Sequence, residues 1–241
     1  MIAAIVQARM SSTRLPGKVM APILGQPMIL RQLERIRRAR TITKVIVATS
    51  TDPSDEPLAA LLTSRGFPVF RGDLHDVLGR FAGAAEAAGE LTHVVRLTAD
   101  CPLTDPALID EAVRLAVASG ADYTGNAERR TYPDGLDVEV IRMDALRTAA
   151  AEAREPGDRE HVTPFLRNQP ARFTHAYMVQ AKDQSAMRWT VDTCADFLFA
   201  RSVFEALYAE NPAFETADVH RLLAERPELV VQPAPALPQA A

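Results

Sequence analysis

Three fixed cations fall close together near the start of the chain: Arg9, Arg14 and Lys18, in "QARMSSTRLPGKVM", residues 7–20. Small hydroxyl residues, Ser11 and Ser12 among them, fill the gaps. Pro16-Gly17 stiffens the turn and lets backbone approach a ligand closely. A polyanion such as a triphosphate asks for this set, because Arg supplies bidentate contacts, Lys a point charge, and both stay charged on burial. Spacing alone leaves two readings open, a phosphate cradle and a solvated basic turn, since the segment matches neither a Walker loop nor a G-x-G-x-x-G turn.

Two aspartates have no evident structural task. Asp105-Pro106 reads as a helix N-cap with proline in the first turn, so Asp100, earlier in "TADCPLTDP", is left over. In "VDTCAD" Thr193 and Asp196 form a capping box, and Asp192 stands outside it. Turn formation for Asp100 and helix-terminus electrostatics for Asp192 remain the plain alternatives. Cys101 and Cys194 flank these aspartates; they read as small buried fillers, in a spacing that resembles no zinc site.

The elements that must carry these residues alternate. "IAAIV" (2–6), "KVIVAT" (44–49) and "HVVRLT" (93–98) are continuous apolar runs of strand length, as buried parallel strands require. Between them "PMILRQLERIRRA" sets Ile29, Leu33 and Ile36 on one face of a surface helix, and "DEPLAALLTSRG" and "DLHDVLGRFAGAAEAAG" are helical stretches that stop at glycines. Such alternation predicts a mostly parallel sheet whose ligands gather outside the strands' carboxyl ends, where the 7–20 loop and "TADCPLTDP" both emerge. Past residue 120 the pattern changes: "LDVEVI" (136–141), "RFTHAYMV" (172–179) and "MRWTVD" (187–192) read as strands without regular helices between them. That predicts a strand-rich extension over about 124–180 within a single domain spanning 1–230. "ADFLFARSVFEALYAEN" reads as the closing helix, and the Pro/Ala-rich stretch 231–241 as a disordered tail.

Composition narrows the classes. The 241 residues are 47% hydrophobic and 24% charged, with a net charge of -4, which disfavours a nonspecific nucleic-acid binder. No apolar run suits a membrane span or a signal peptide, and two cysteines make no disulfide framework, so the expected compartment is the cytoplasm.

The segment "RMSSTRLPGK" resembles the N-terminal signature of cytidylyltransferases that activate acidic sugars, the 3-deoxy-manno-octulosonate and acylneuraminate enzymes. "APILGQPM" (21–28) and "DCPLTDP" (100–106) bring the resemblance closest to the spore-coat polysaccharide biosynthesis protein F subgroup, and it runs from about residue 2 to 225. The resemblance implies a Rossmann-like α/β nucleotidyltransferase fold that takes CTP and releases pyrophosphate. It implies triphosphate contacts from Arg9 and Lys18, with Ser11, Ser12 and Arg14 in the same loop, and Mg²⁺ held by Asp100 and Asp192. Two bare carboxylates that close would repel and raise one pKa. Ala8, Thr49, Ser50 and Thr98 at strand ends, with Asp73 and Arg80 in "GDLHDVLGR", are expected near the nucleotide, although Asp73 also suits a helix cap and Arg80 a helix surface. The acceptor, an acidic sugar or related compound, is expected to meet Asn126, Tyr132, Asp134, Gly135 and Asp137 around a Pro-Asp-Gly turn, and Glu160-His161. A homodimer is expected as well. Ala99 replaces a glycine common in the subgroup, and the acceptor loops match neither sugar-acid pattern closely enough to fix the substrate. A glycosyltransferase of similar fold and a noncatalytic nucleotide-binding module are the competing readings.

Overall fold

The early apolar runs do form parallel strands. In the computed structural model, which describes residues 1–230, β1 (Ile2–Gln7) leads through the basic loop to a 3-10 turn (Lys18–Met20). A two-strand ribbon of β2 (Pro22–Ile23) and β3 (Gln26–Pro27) and then α1 (Met28–Ile36) follow. The alternation continues through β4 (Lys44–Ser50), α2 (Glu56–Ser64), β5 (Val69–Gly72), α3 (Val77–Ala87), β6 (His93–Thr98) and α4 (Pro106–Ser119). The second half holds β7 (Tyr123–Gly125), β8 (Glu139–Arg142), α5 (Met143–Glu152), α6 (Pro156–His161), α7 (Pro164–Arg167), β9 (His175–Tyr177), α8 (Cys194–Leu207) and α9 (Thr216–Glu225). The expected disordered tail at 231–241 lies outside the described residues.

Among the described residues one sheet runs β5-β4-β1-β6-β8-β7-β9. β5, β4, β1 and β6 are parallel, β8 runs antiparallel to both its neighbours, and β9 is parallel to β7. The continuous apolar run of β1 follows from burial on both faces. Ala4 and Val6 join the core beneath α1, α2 and α4, while Ala3 and Ile5 join the core beneath α3 and α5. A third core, built on Trp189, Phe199, Phe204 and Phe214, lies between α1 and the α8–α9 layer.

That outer layer changes the role of α1. Ile29, Leu33 and Ile36 are fully buried, as their spacing predicts, each contributing roughly 1.5–3 kcal/mol by burial. The opposite face is covered too: Arg31 stacks over Tyr208 at 4.2 Å and Arg35 over Phe214 at 4.1 Å. Burial lowers the Arg35 pKa to about 10, against the pull of Asp105. The surface helix is therefore an internal one.

The later chain departs from its pattern. Pairing in 136–141 begins only at Glu139, 172–179 keeps three strand residues, and 187–192 makes a single bridge, between Asp134 and Arg188. Regular helices do separate β8 from β9, and the strands of this region form the edge of the main sheet. The helix expected to close the chain is followed by α9, tied back where Asp105 accepts from the Thr216 amide at 2.9 Å. The predicted caps are present: Asp105 accepts from Ala107 at 2.8 Å, and Thr193 and Asp196 form a reciprocal capping box at α8. No described helix is long and apolar enough to cross a membrane.

Candidate active site

The loops leaving β1 and β6 meet at the carboxyl rim of the sheet and enclose a cavity of about 340 Å³. Ala8, Arg9, Ser12, Arg14 and Lys18 line it from the first loop, and Thr98 and Asp100 from β6 and its loop. Arg80 of α3, Glu160 and His161 of α6, and Asp192 before α8 complete the wall, with Gln7 and Val77, which the sequence did not single out.

Lys18 is the hub. Its Nζ donates to the Val191 carbonyl at 2.6 Å, to Asp192 Oδ1 at 3.0 Å and to Asp100 Oδ2 at 3.3 Å. Gly17, at φ 71°, supplies the left-handed turn that starts its 3-10 turn. Met10 closes the loop, its carbonyl accepting from Ser12 and Gly17, each at 2.9 Å. Asp55, fully buried and unsuspected from sequence, anchors the loop: it accepts from the Met10 amide at 2.6 Å and the Ser50 amide at 3.1 Å. The only sequence trace of that brace is an acidic residue just after a strand end.

Asp192 is positioned from two distant points. The Val191 amide donates to the Asp100 carbonyl at 2.7 Å, and Trp189 and Thr190 amides donate to the Asp134 carbonyl at 2.7 and 2.9 Å. Gly135 permits this approach: at φ 109°, a Cβ there would lie 2.4 Å from the Thr190 nitrogen. Arg188, also unsuspected, bonds Asp192 and Asp196, each at 2.9 Å.

The two unexplained aspartates thus share one cation, which replaces the expected repulsion with attraction. Burial opposes ionisation of Asp192, but Lys18, Arg188 and Arg14 overcome it and hold its carboxyl below the usual range. Among the described residues no three His, Cys, Asp or Glu side chains gather as a metal site. Asp100 and Asp192 are hard oxygen donors of the kind Mg²⁺ takes together with water and phosphate oxygens, but Lys18 Nζ holds the position between them, so a metal there requires Lys18 to move aside. The cysteines differ from each other. Cys101 is buried, and burial with nearby Asp100 raises its thiol pKa, whereas Cys194 is exposed and not the expected filler.

Several expected contacts lie elsewhere, for identifiable reasons. Ser11 is exposed outside the cavity wall. Thr49 and Ser50 are fully buried behind it, with Ser50 bonded to Asp55. Asp73 does not cap α3, a task that Asp76 performs by accepting from Gly79 at 2.8 Å. Asp73 instead accepts from the His75 and Asp76 amides at 2.7 and 2.9 Å, beside an adjoining cavity of about 570 Å³ that shares Arg9 and Glu160 with the first. Arg80 is no surface residue: it is 3% exposed and donates to the Asp73 carbonyl at 2.9 Å. Burial, opposed by Asp55 and aided by Arg9, lowers its pKa.

Asn126 is spent as a brace, donating to the Leu136 carbonyl and accepting from the Val138 amide, both at 2.8 Å. Tyr132 packs where two cores meet. Asp134 pairs with Arg130 at 3.0 Å and Arg188 at 3.4 Å, so the Pro-Asp-Gly turn serves mainly to position residues 189–192. Asp137 lines a third cavity, of about 210 Å³, which meets the first at Thr98 and His161. Burial, only partly offset by Arg130, raises the Asp137 pKa to about 6.

Comparison with known proteins places the whole chain in a family. The cytidylyltransferase family model matches residues 3–215. The spore coat polysaccharide biosynthesis protein SpsF of Bacillus subtilis is 32% identical over 95% of this chain and 96% of its own. The 3-deoxy-manno-octulosonate cytidylyltransferase of Geobacter sulfurreducens is 33% identical over 59% of this chain and 56% of its own. A solved cytidylyltransferase from Leptospira borgpetersenii superimposes with a TM-score of 0.90 at 28% identity, covering 97% of this chain and 98% of that one. A cation loop, a rim-side cavity and a match across nearly the whole chain agree, and the chain belongs to the CTP-dependent cytidylyltransferases, in the acidic-sugar and SpsF-like group.

Proposed function

We propose that this protein transfers CMP from CTP to a hydroxyl of an acidic sugar or related acceptor, with Mg²⁺, in the synthesis of a surface glycan precursor. The observation that carries the reading is the Lys18 ammonium seated between Asp100 and Asp192 at the head of an arginine-lined cavity. The acceptor oxygen attacks the α-phosphorus in line; the new O–P bond forms as the bond to the β-phosphate bridging oxygen breaks. Pyrophosphate leaves, and the hydroxyl proton passes to water. Positioning and charge neutralisation carry such a reaction, with no protein nucleophile.

Arg9, Arg14 and Lys18 take the role of holding the triphosphate and neutralising charge that builds on the departing pyrophosphate. Arg80, buried against the same wall, and Ala8 and Thr98 at the strand ends bound the nucleotide. Asp100 and Asp192 are the residues that would hold Mg²⁺, whose chemistry there is to draw charge from phosphate oxygens and acidify the acceptor hydroxyl. Glu160 and His161 border the nucleotide cavity, and Asp137 lines the cavity on the acceptor side. The reading includes a homodimer, which rests on the resemblance, and a cytoplasmic location, which rests on composition. Incubation with each of the four nucleoside triphosphates, Mg²⁺ and a panel of sugar acids tests it through pyrophosphate release. Release with CTP and one acceptor supports it; release with none, or equal release with all four nucleotides, overturns it.

A further inference from the structure

A row of polar side chains crosses three adjacent strands and ends at the nucleotide cavity: Glu139 on β8, Arg96 opposite it on β6, and Gln7 at the end of β1. Glu139 is buried, forms an ion pair with Arg96, and accepts from Tyr123 Oη at 2.7 Å and Thr163 Oγ1 at 2.9 Å. Burial opposes its ionisation, but Arg96 and these hydroxyls hold its pKa below the usual range. The paired Arg96 then donates from Nε to Gln7 Oε1 at 3.0 Å. A guanidinium has donors only, so the Gln7 amide meets it in one orientation, oxygen toward Arg96 and nitrogen away. That nitrogen has no hydrogen-bond partner among the described residues, and Gln7 is half-buried in the cavity wall.

Sheet register fixes where this donor stands. Gln7 lies opposite Thr98, and Thr98 lines both the nucleotide cavity and the cavity that holds Asp137. On the proposed cytidylyltransferase reading, on which this inference rests, the α-phosphorus must lie where the two cavities meet, because there the acceptor oxygen reaches it. We infer that Gln7 is a further catalytic residue, whose Nε2 donates to a non-bridging oxygen of the α-phosphate. Arg96 holds the amide in place before the substrate arrives, so the donor needs no reorientation as charge shifts on the phosphorus. The reversed amide would set its oxygen against the phosphate and repel it. The cation loop grips the far end of the triphosphate, and Gln7 steadies the end that reacts.

Calorimetric titration with CTP, CDP, CMP and cytidine tests the assignment without any acceptor, because the first three share the α-phosphate and cytidine lacks it. Gln7→Met should bind CTP, CDP and CMP each about tenfold more weakly than the wild type, and cytidine equally well. Gln7→Glu keeps an oxygen toward Arg96 but puts a second, anionic one where the donor stood. It should weaken all three phosphorylated ligands further and again leave cytidine unchanged. Circular dichroism melts should show both variants folded; Gln7→Glu, which retains the Arg96 contact, carries the test should Gln7→Met not fold. A merely structural role for Gln7 would weaken cytidine in step with the rest. In pyrophosphate release, kcat/KM for CTP should fall by at least the same tenfold. Unchanged affinities, a loss shared by cytidine, a loss confined to CTP and CDP, or an unchanged kcat/KM overturns the inference while CTP binding by the wild type stands. A wild type that binds none of the three phosphorylated ligands overturns the underlying reading and this inference with it.

Discussion

Replacing Lys18 with alanine should affect the resting protein as well as its turnover. The side chain is 9% exposed and makes three contacts that join the first loop to residues some eighty and some one hundred and seventy positions away. Hydrogen bonds to charged groups contribute about 1.5–3 kcal/mol each. The full sum is not lost here, because Asp192 retains Arg14 at 3.0 Å and Arg188 at 2.9 Å, and Asp100 is 30% exposed and open to water. A net loss of about 2–3 kcal/mol follows, which for a domain of this size lowers Tm by roughly 4–12 °C. Scanning calorimetry without nucleotide reads it directly. Mg²⁺ supplies a second reading, because in Lys18→Ala the ion can take the emptied position between the carboxylates. Millimolar Mg²⁺ should raise the Tm of the variant more than that of the wild type. Turnover should fall by about a hundredfold or more from loss of charge stabilisation on the leaving group. A variant that melts with the wild type, and gains no more than it from Mg²⁺, would refute the bridging role of Lys18.

Two further outcomes follow from the neighbouring geometry. Gly135→Ala should lower stability by about 2–4 kcal/mol in urea unfolding, because its Cβ meets the Thr190 nitrogen at 2.4 Å in a backbone region unsuited to alanine, and turnover should fall as Asp192 shifts. Asp137→Asn should gain stability over the wild type as pH rises: the folded pKa of about 6 exceeds the unfolded value of 3.8, so the native state gives up stability between those pH values. Melting curves should agree near pH 3.5 and differ by about 3 kcal/mol above pH 7, and a pH-independent gap would refute the assignment.

What the sequence made readable was the half in which local pattern and function coincide. Arg9, Lys18, Asp100 and Asp192 were singled out because no cap, periodicity or apolar face required them, and all four line one cavity. Residues 187–192 were misread because Trp189 and Val191 alternate as in a strand, although both are buried by the α8–α9 layer. The helix-surface alternative for Arg80 fails for the related reason that helix exposure depends on what packs outside the helix. Asp55 carried only a faint local sign, an acidic residue shortly after a strand end. Its role depends on a loop amide forty-five residues away.

The segment Trp189–Asp192 hangs from two backbone oxygens, those of Asp134 and Asp100, and carries one carboxylate of the pair. The first loop and Asp100 belong to elements of the first half, whereas Asp192 arrives in the last fifth of the chain. A growing chain therefore holds the cation loop and Asp100 long before it holds Asp192. Local opening of the C-terminal layer in the finished protein has the same effect in reverse, since losing the hold on Thr190 and Val191 removes Asp192 and leaves the cation loop anchored by Asp55. On the proposed reading, the carboxylate pair beside the cation loop is complete only when the fold's last layer closes.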